Sequence, residues 1–225
     1  QTSTTADISA KALTATASAS NKVYDGSSVA TVTLSLSGFI GSETVTSTNS
    51  STFNNKNVGT GKTVTVNSIT LADGTNGGLA ANYSISAGQT TTANITAKSL
   101  TVSGITASNK TYDGSTNVTL TGTAVYSGLV SGDTFDGTYT GAFSDKNAGV
   151  GKTVTITSSY TGADVSNYSV TDQSSTTANI TAKSLTVSGI TASDKIYDGS
   201  TSATLTGTAV YSGLVPGDTF DGSYT

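Results

Sequence analysis

The feature that most constrains this chain is a motif, Lys-x-Tyr-Asp-Gly, that returns at intervals of domain length. Its three copies begin at Lys22, Lys110 and Lys195, so the steps are 88 and 85 residues. A longer segment that starts at Ile95 is also repeated, almost residue for residue, from Ile180. Self-similarity at a fixed period is the signature of a protein built from tandem structural units, each packed against its neighbours. The repeat therefore predicts a chain of similar modules.

Each module is predicted to consist of β-strands. Segments such as KTVTV (62–66) and SLTVSG (99–104) alternate apolar residues with Thr or Ser, the pattern of a strand with one buried and one solvated face. Asp-Gly pairs suited to tight turns punctuate these segments, and no stretch has helical periodicity. Aromatic residues make up 7% of the chain, so each core must be small. We expect an all-β fold of small β-sandwich modules, either Ig-like or β-grasp-like, a choice that the sequence leaves open.

The module boundaries are predicted from a slip in this alternation. Before Lys98 the apolar residues occupy odd positions, Ala93 and Ile95, whereas after it they occupy even positions, Leu100 and Val102. A slip of one residue sends side chains to the opposite face of a strand. We therefore expect Lys98 to mark the boundary between two modules that have separate cores.

The same slip occurs at Lys183, and the two slips divide the chain into four segments. The predicted segments are the end of a preceding module or a tail (1–10), a first copy (11–97), a second copy (98–182) and an incomplete third copy (183–225). Neither boundary carries a linker rich in Gly, Ser or Pro. Since such short joints leave little freedom, we expect the copies to stack end to end as an elongated rod.

The recurring motif itself is interpreted as structural. A tyrosine beside a tight turn can bury its ring while its hydroxyl bonds to the backbone; the alternative is a tyrosine that binds a ligand. The residues assigned the structural role are Lys22, Tyr24, Asp25, Gly26, Lys110, Tyr112, Asp113, Gly114, Lys195, Tyr197, Asp198 and Gly199.

The residue inventory argues against an enzyme. The chain has no His and no Cys, and Glu43 is its only glutamate, so a Ser-His-Asp triad cannot form. A net charge of −4, with Lys as the only cationic side chain, argues against binding to nucleic acid. No apolar run is long enough to span a membrane.

No cofactor is expected, with calcium kept as an alternative. Asp133, Asp136 and Asp145 lie close together in sequence, and hard oxygen ligands on loops suit that ion. A separate hypothesis is an isopeptide crosslink between Lys98, which opens the second copy, and Asn179 in its closing strand.

Several segments together resemble a known family. They are ITAKSLTV (95–102), KTYDG (110–114), GLVSGD (128–133), FSDKNAGVGK (143–152) and SNYSV (166–170). They resemble the YDG-type repeats, related to the MBG repeats, of very large bacterial adhesins similar to filamentous haemagglutinin. The first copy departs from the pattern because Glu43 stands where the second copy has Asp133.

The resemblance implies an exported protein located outside the cell or on the bacterial surface. It also implies a structural role: a stalk or spacer that projects an adhesive tip in cell adhesion or biofilm. The implied partners are the neighbouring repeats, while other domains would contact extracellular polysaccharide or a host surface. The alternative is a carbohydrate- or matrix-binding β-module that contacts polysaccharide directly, against which the absence of Trp argues.

Overall fold

A computed structural model describes residues 3–225 as an all-β protein, which confirms the predicted fold class. Two 3₁₀ turns of three residues each, Ala80–Asn82 and Val165–Asn167, are the only helical segments in this range. Nowhere in residues 3–225 is there a helix with the length and hydrophobicity needed to cross a bilayer.

The strands follow the repeats. In the first copy they are β1 (Lys11–Ala12), β2 (Thr14–Ala19), β3 (Lys22–Val23), β4 (Val29–Ala30), β5 (Val32–Ser37), β6 (Val45–Phe53), β7 (Gly59–Asp73), β8 (Tyr83–Ser84) and β9 (Thr90–Thr96). In the second copy they are β10 (Lys98–Ser103), β11 (Thr106–Ala107), β12 (Lys110–Thr111), β13 (Leu120–Thr121), β14 (Val125–Ser127), β15 (Asp136–Phe143), β16 (Gly149–Thr161), β17 (Tyr168–Thr171) and β18 (Ser175–Thr181). In the third copy they are β19 (Thr186–Ala192) and β20 (Leu205–Ser212).

The chain divides into two compact units. The first comprises Gln1–Thr101, Tyr126–Asp136 and Tyr160–Thr171. The second comprises Val102–Val125, Gly137–Ser159 and Asp172–Thr225. The division passes through the second copy, and the repeat boundaries stay a prediction from the sequence.

The first unit contains a five-stranded sheet in the order β3-β9-β7-β6-β4. Strands β6 and β7 form a long antiparallel hairpin, whereas the short strand β3 pairs in parallel with β9. Val64 and Val66 of β7 are fully buried, and the threonines beside them point to the other face. Because Thr tolerates water on its hydroxyl while its branched Cβ favours an extended backbone, the alternating sequence forms this strand.

The second unit contains a sheet in the same order, β12-β18-β16-β15. Its motif strand β12 again pairs in parallel with the closing strand β18. The buried residues of its core are Phe143, Val154, Ala178 and Ile180. Strands β19 and β20 of the third copy form a separate antiparallel pair. The two complete copies therefore share one topology around the motif strand.

At Lys98, where the alternation slips, the chain passes from one sheet to another. Ile95 before it and Leu100 after it are both buried, and they belong to different sheets. Both lie in the first compact unit, however. The ring of Tyr24 from the first copy also meets the ring of Tyr168 from the second, edge to face at 5.6 Å. Aromatic side chains therefore contact each other across the boundary, and the expectation of separate cores stays a prediction.

Candidate functional site

The first motif folds into a loop that a lysine closes. The Lys22 ammonium lies 2.8 Å from the Asp25 carboxylate and donates to the carbonyl oxygens of Ser27 and Val29 at 2.8 and 3.0 Å. The same carboxylate oxygen of Asp25 accepts the Ser27 N–H at 2.9 Å. Gly26 between them has a φ of +81°, a left-handed conformation that favours glycine. The lysine, aspartate and glycine of the motif thus each have a local structural role.

The other two motifs form the same loop. Lys110 binds Asp113 at 2.8 Å, and Lys195 binds Asp198 at 2.9 Å. The central glycines, Gly114 and Gly199, also have positive φ, at +79° and +75°. The loop geometry is therefore a property of the local sequence, since it recurs in all three copies.

Tyr24 leaves this loop to reach a distant carboxylate. Its N–H bonds to the carbonyl oxygen of Thr96 at 2.9 Å, which fixes its backbone beside the closing strand β9. Its side chain is 1% exposed, and its hydroxyl donates to Asp133 at 2.8 Å. The predicted backbone acceptor is thus wrong: the partner is a side chain of the second copy.

The hairpin between β6 and β7 brings a lysine to the same carboxylate. At its tip, Asn55 accepts both the Asn57 N–H at 3.0 Å and the Lys62 ammonium at 2.7 Å, which shapes the turn. The turn presents Lys56, whose ammonium lies 3.1 Å from Asp133 and 2.9 Å from Asp164.

Two neighbouring residues of the second copy complete the contact. The Tyr168 hydroxyl donates to Asp133 at 2.5 Å and accepts the Val130 N–H at 2.9 Å. Asn167, which is 1% exposed, accepts the Val58 N–H from the hairpin of the first copy at 2.9 Å. We call Tyr24, Lys56, Asp133, Asp164 and Tyr168 the first junction cluster.

The first junction cluster keeps Asp133 ionised and its phenols protonated. Burial raises the pKa of Asp133, but hydrogen bonds from both tyrosines and from Lys56 outweigh burial and hold that pKa below its ordinary value. Burial, followed by the bond to Asp133, raises the pKa of Tyr24 and brings that of Tyr168 to about 12. The bond to Asp164 is the largest cause of the raised pKa of Lys56. The groups of the first junction cluster therefore keep one charge state at neutral pH. This suits a permanent contact better than proton transfer.

The second unit repeats this arrangement between the second and third copies. The Tyr112 hydroxyl donates to Asp218 at 2.7 Å, and the Lys146 ammonium lies 3.3 Å from the same carboxylate. We call these three residues the second junction cluster. Tyr197 lies in the incomplete third copy and is 93% exposed. In each of the two complete copies, the motif tyrosine bonds to a carboxylate of the copy that follows.

The signal that could have revealed this partner lies in the repeats. An acidic residue follows Gly-Leu-Val-x-Gly in the second and third copies, at Asp133 and Asp218, and Glu43 takes its place in the first. The calcium hypothesis treats Asp133 as a metal ligand and does not use this recurrence. The repeat carries a carboxylate, a tyrosine and a lysine at corresponding positions. This recurrence could have predicted one contact between successive copies.

The calcium hypothesis receives no support from the placement of its three carboxylates. Asp133 is paired with Lys56, Asp145 with Lys152 at 2.5 Å, and Asp136 is exposed. Among residues 3–225, no group of three or more acidic residues could hold a metal ion. The isopeptide candidate Asn179 uses its side-chain oxygen to accept the Gly151 N–H at 2.7 Å, which caps the start of β16.

These features define a tandem-repeat all-β protein whose successive copies are joined by a contact between tyrosine, lysine and aspartate, buried at the first junction and partly exposed at the second. The family model of the YDG domain matches the chain three times, at residues 9–93, 96–178 and 181–223. The chain therefore belongs to the YDG domain family. Searches among curated proteins and among solved structures returned no match.

Proposed function

We propose that this chain is a structural spacer, part of the stalk of a large bacterial adhesin similar to filamentous haemagglutinin. In this proposal the protein lies outside the cell or on the bacterial surface. There the repeats project an adhesive tip in cell adhesion or biofilm. The observation that carries the proposal is the junction cluster, which occurs between the first and second copies and again between the second and third.

The junction supports a spacer because it resists separation of the copies. The Asp133 side chain is only 3% exposed, and separating the copies would break its bonds to the Tyr24 hydroxyl and the Lys56 ammonium. Hydrogen bonds to a charged group are stronger than neutral ones, so the joint should open rarely. The ammonium of Lys56 also lies 5.8 Å from the centre of the Tyr24 ring, which adds a cation–π contact.

The pairing of the motif strand also suits a chain under tension. In each complete copy this strand is parallel to the closing strand that leads into the next copy, β3 with β9 and β12 with β18. A load that reaches the motif strand would slide these two parallel strands along each other. Their hydrogen bonds would then share the load and would not open one at a time.

Small-angle X-ray scattering of the full chain tests the proposal. A compact chain of this length would have a radius of gyration of about 17 Å. With modules of roughly 20–40 Å each, a spacer should give a clearly larger value. Glycan arrays provide the second measurement. A compact particle, or saturable binding to a polysaccharide, would refute the spacer role and favour the carbohydrate-binding module.

A further inference from the structure

The first copy carries an acceptor face like the one that Tyr24 enters in the second copy. The Tyr83 hydroxyl donates to Glu43 at 2.6 Å and accepts the Ile40 N–H at 3.1 Å. The Glu43 N–H in turn bonds to the carbonyl oxygen of Ile40 at 3.0 Å. We call Ile40, Glu43, Leu79, Asn82 and Tyr83 the first acceptor face.

The second copy makes the same bonds with its own residues. Tyr168 donates to Asp133 and accepts the Val130 N–H, and the Asp133 N–H bonds to the Val130 carbonyl oxygen at 3.2 Å. In both copies the tyrosine follows a 3₁₀ turn directly, Ala80–Asn82 in one and Val165–Asn167 in the other. The acceptor geometry is therefore formed in the first copy as well.

The two faces differ in how far their residues are exposed. Asn167 is 1% exposed because the hairpin of the first copy lies on it, whereas its counterpart Asn82 is exposed. Val130 is half-buried and lies against Gly26 of the preceding motif. A Cβ built on Gly26 would be 2.8 Å from the Cγ1 of Val130. Its counterpart Ile40 is 53% exposed. The first face thus exposes the positions that a preceding copy covers in the second.

We propose that the first acceptor face binds the motif tyrosine and the hairpin lysine of another YDG repeat joined directly in front of Ile8. The inference rests on the proposed spacer function. The chemistry is taken from the chain itself, where a tyrosine and a lysine meet one carboxylate at both junctions. Glu43 is an anion in the corresponding place and fits the same two donors.

The first acceptor face also predicts a difference in its contact. Leu79 stands immediately before the 3₁₀ turn, where the second copy has Asp164. The hairpin lysine of the incoming repeat would therefore find one carboxylate, Glu43, and not two. Leu79 is 51% exposed, so it offers an apolar contact to the stem of that lysine.

An extended chain tests the assignment. Residues 98–179 are joined directly in front of Ile8, which keeps the register because Asn179 precedes Ile180 as Asp7 precedes Ile8. Hydroxyl-radical footprinting with mass spectrometry then compares the extended and original chains. Modification of Ile40 and Leu79 should fall severalfold on extension, while that of Val23, 56% exposed in the same copy, should not change.

A double-mutant cycle adds an energetic readout. In the extended chain, Tyr112→Phe in the added copy and Glu43→Gln should be coupled by roughly two- to tenfold in the unfolding equilibrium constant. The matched positive control is the cycle of Tyr24→Phe with Asp133→Asn. Coupling at the control pair but none at Glu43 would overturn this inference and leave the spacer proposal standing, whereas loss of both would count against each.

Two other outcomes would also overturn the assignment. One is an added copy that stays unfolded, because the same sequence is folded between its neighbours in the chain itself. The other is protection of Ile40 in the original chain that grows with protein concentration, which would assign the face to contact between separate molecules.

Discussion

Replacing Asp133 by Asn tests the first junction cluster with little change in shape. The carboxylate accepts the hydroxyls of Tyr168 and Tyr24 at 2.5 and 2.8 Å, and its side chain is 3% exposed. Hydrogen bonds to a charged group contribute about 1.5–3 kcal/mol each, against about 0.5–1.5 kcal/mol for neutral pairs. Lys56 keeps Asp164 as a partner at 2.9 Å. The Tyr168 bond lies within the second copy, so only the Tyr24 bond is weakened across the junction, and we expect the junction to lose about 1–1.5 kcal/mol of stability.

The same charge makes the junction sensitive to pH at both extremes. Because the pKa of Asp133 is lowered, its contribution is present above the unfolded value of about 3.9 and is lost as the pH falls through the lower folded value. Because the pKa of Tyr168 is raised, its contribution is complete below the unfolded value of about 10 and is lost as the pH rises through about 12. We expect constant stability between about pH 5 and pH 9. The Asp133→Asn variant should lack the decrease in stability at low pH that Asp133 produces.

Amide hydrogen exchange at Val58 measures this opening locally. The Val58 N–H is bonded to Asn167 across the junction, so it exchanges when the junction opens. A loss of 1–1.5 kcal/mol corresponds to exchange that is about 5- to 12-fold faster in Asp133→Asn. Asp136→Asn, an exposed position three residues away, is the matched control. Equal exchange in the two variants would refute the argument that the buried charge holds the copies together.

Two further comparisons, both read by thermal unfolding, test the motif loop. Gly26→Ala introduces a Cβ 2.8 Å from Val130 at a φ of +81°, whereas Gly77→Ala has a similar φ of +85° but nothing within 4 Å. Both should suffer the backbone cost of about 1–2 kcal/mol, and only the first should lose more. Lys22→Met removes the donor of two loop carbonyls and should cost about 1–3 kcal/mol. Lys195→Met should cost less, because its side chain is 36% exposed against 18% for Lys22; equal losses would show that burial is irrelevant.

Much of the fold could be predicted from the sequence because its signals are local. Alternation of Val with Thr in Lys62–Val66 predicts a strand with one buried face, and Val64 and Val66 are buried. The motif loop is equally local, since lysine, aspartate and glycine interact within a few residues of one another. The chain changes sheet at Lys98, where the alternation slips, but the slip carries no information on which side chains pack across it.

The partners of the motif tyrosines depend on tertiary structure. Tyr24 and Tyr112 have nearly the same neighbours in sequence, and each bonds to a carboxylate of the following copy. The sequence by itself determined the repeat, the strands and the shape of the loop, because these follow from backbone preferences and short-range bonds. Only the tertiary structure decided that Tyr24 meets Asp133. That contact joins residues 109 positions apart, and no local preference acts over such a distance; it forms because the folded second copy holds its carboxylate at the end of the first.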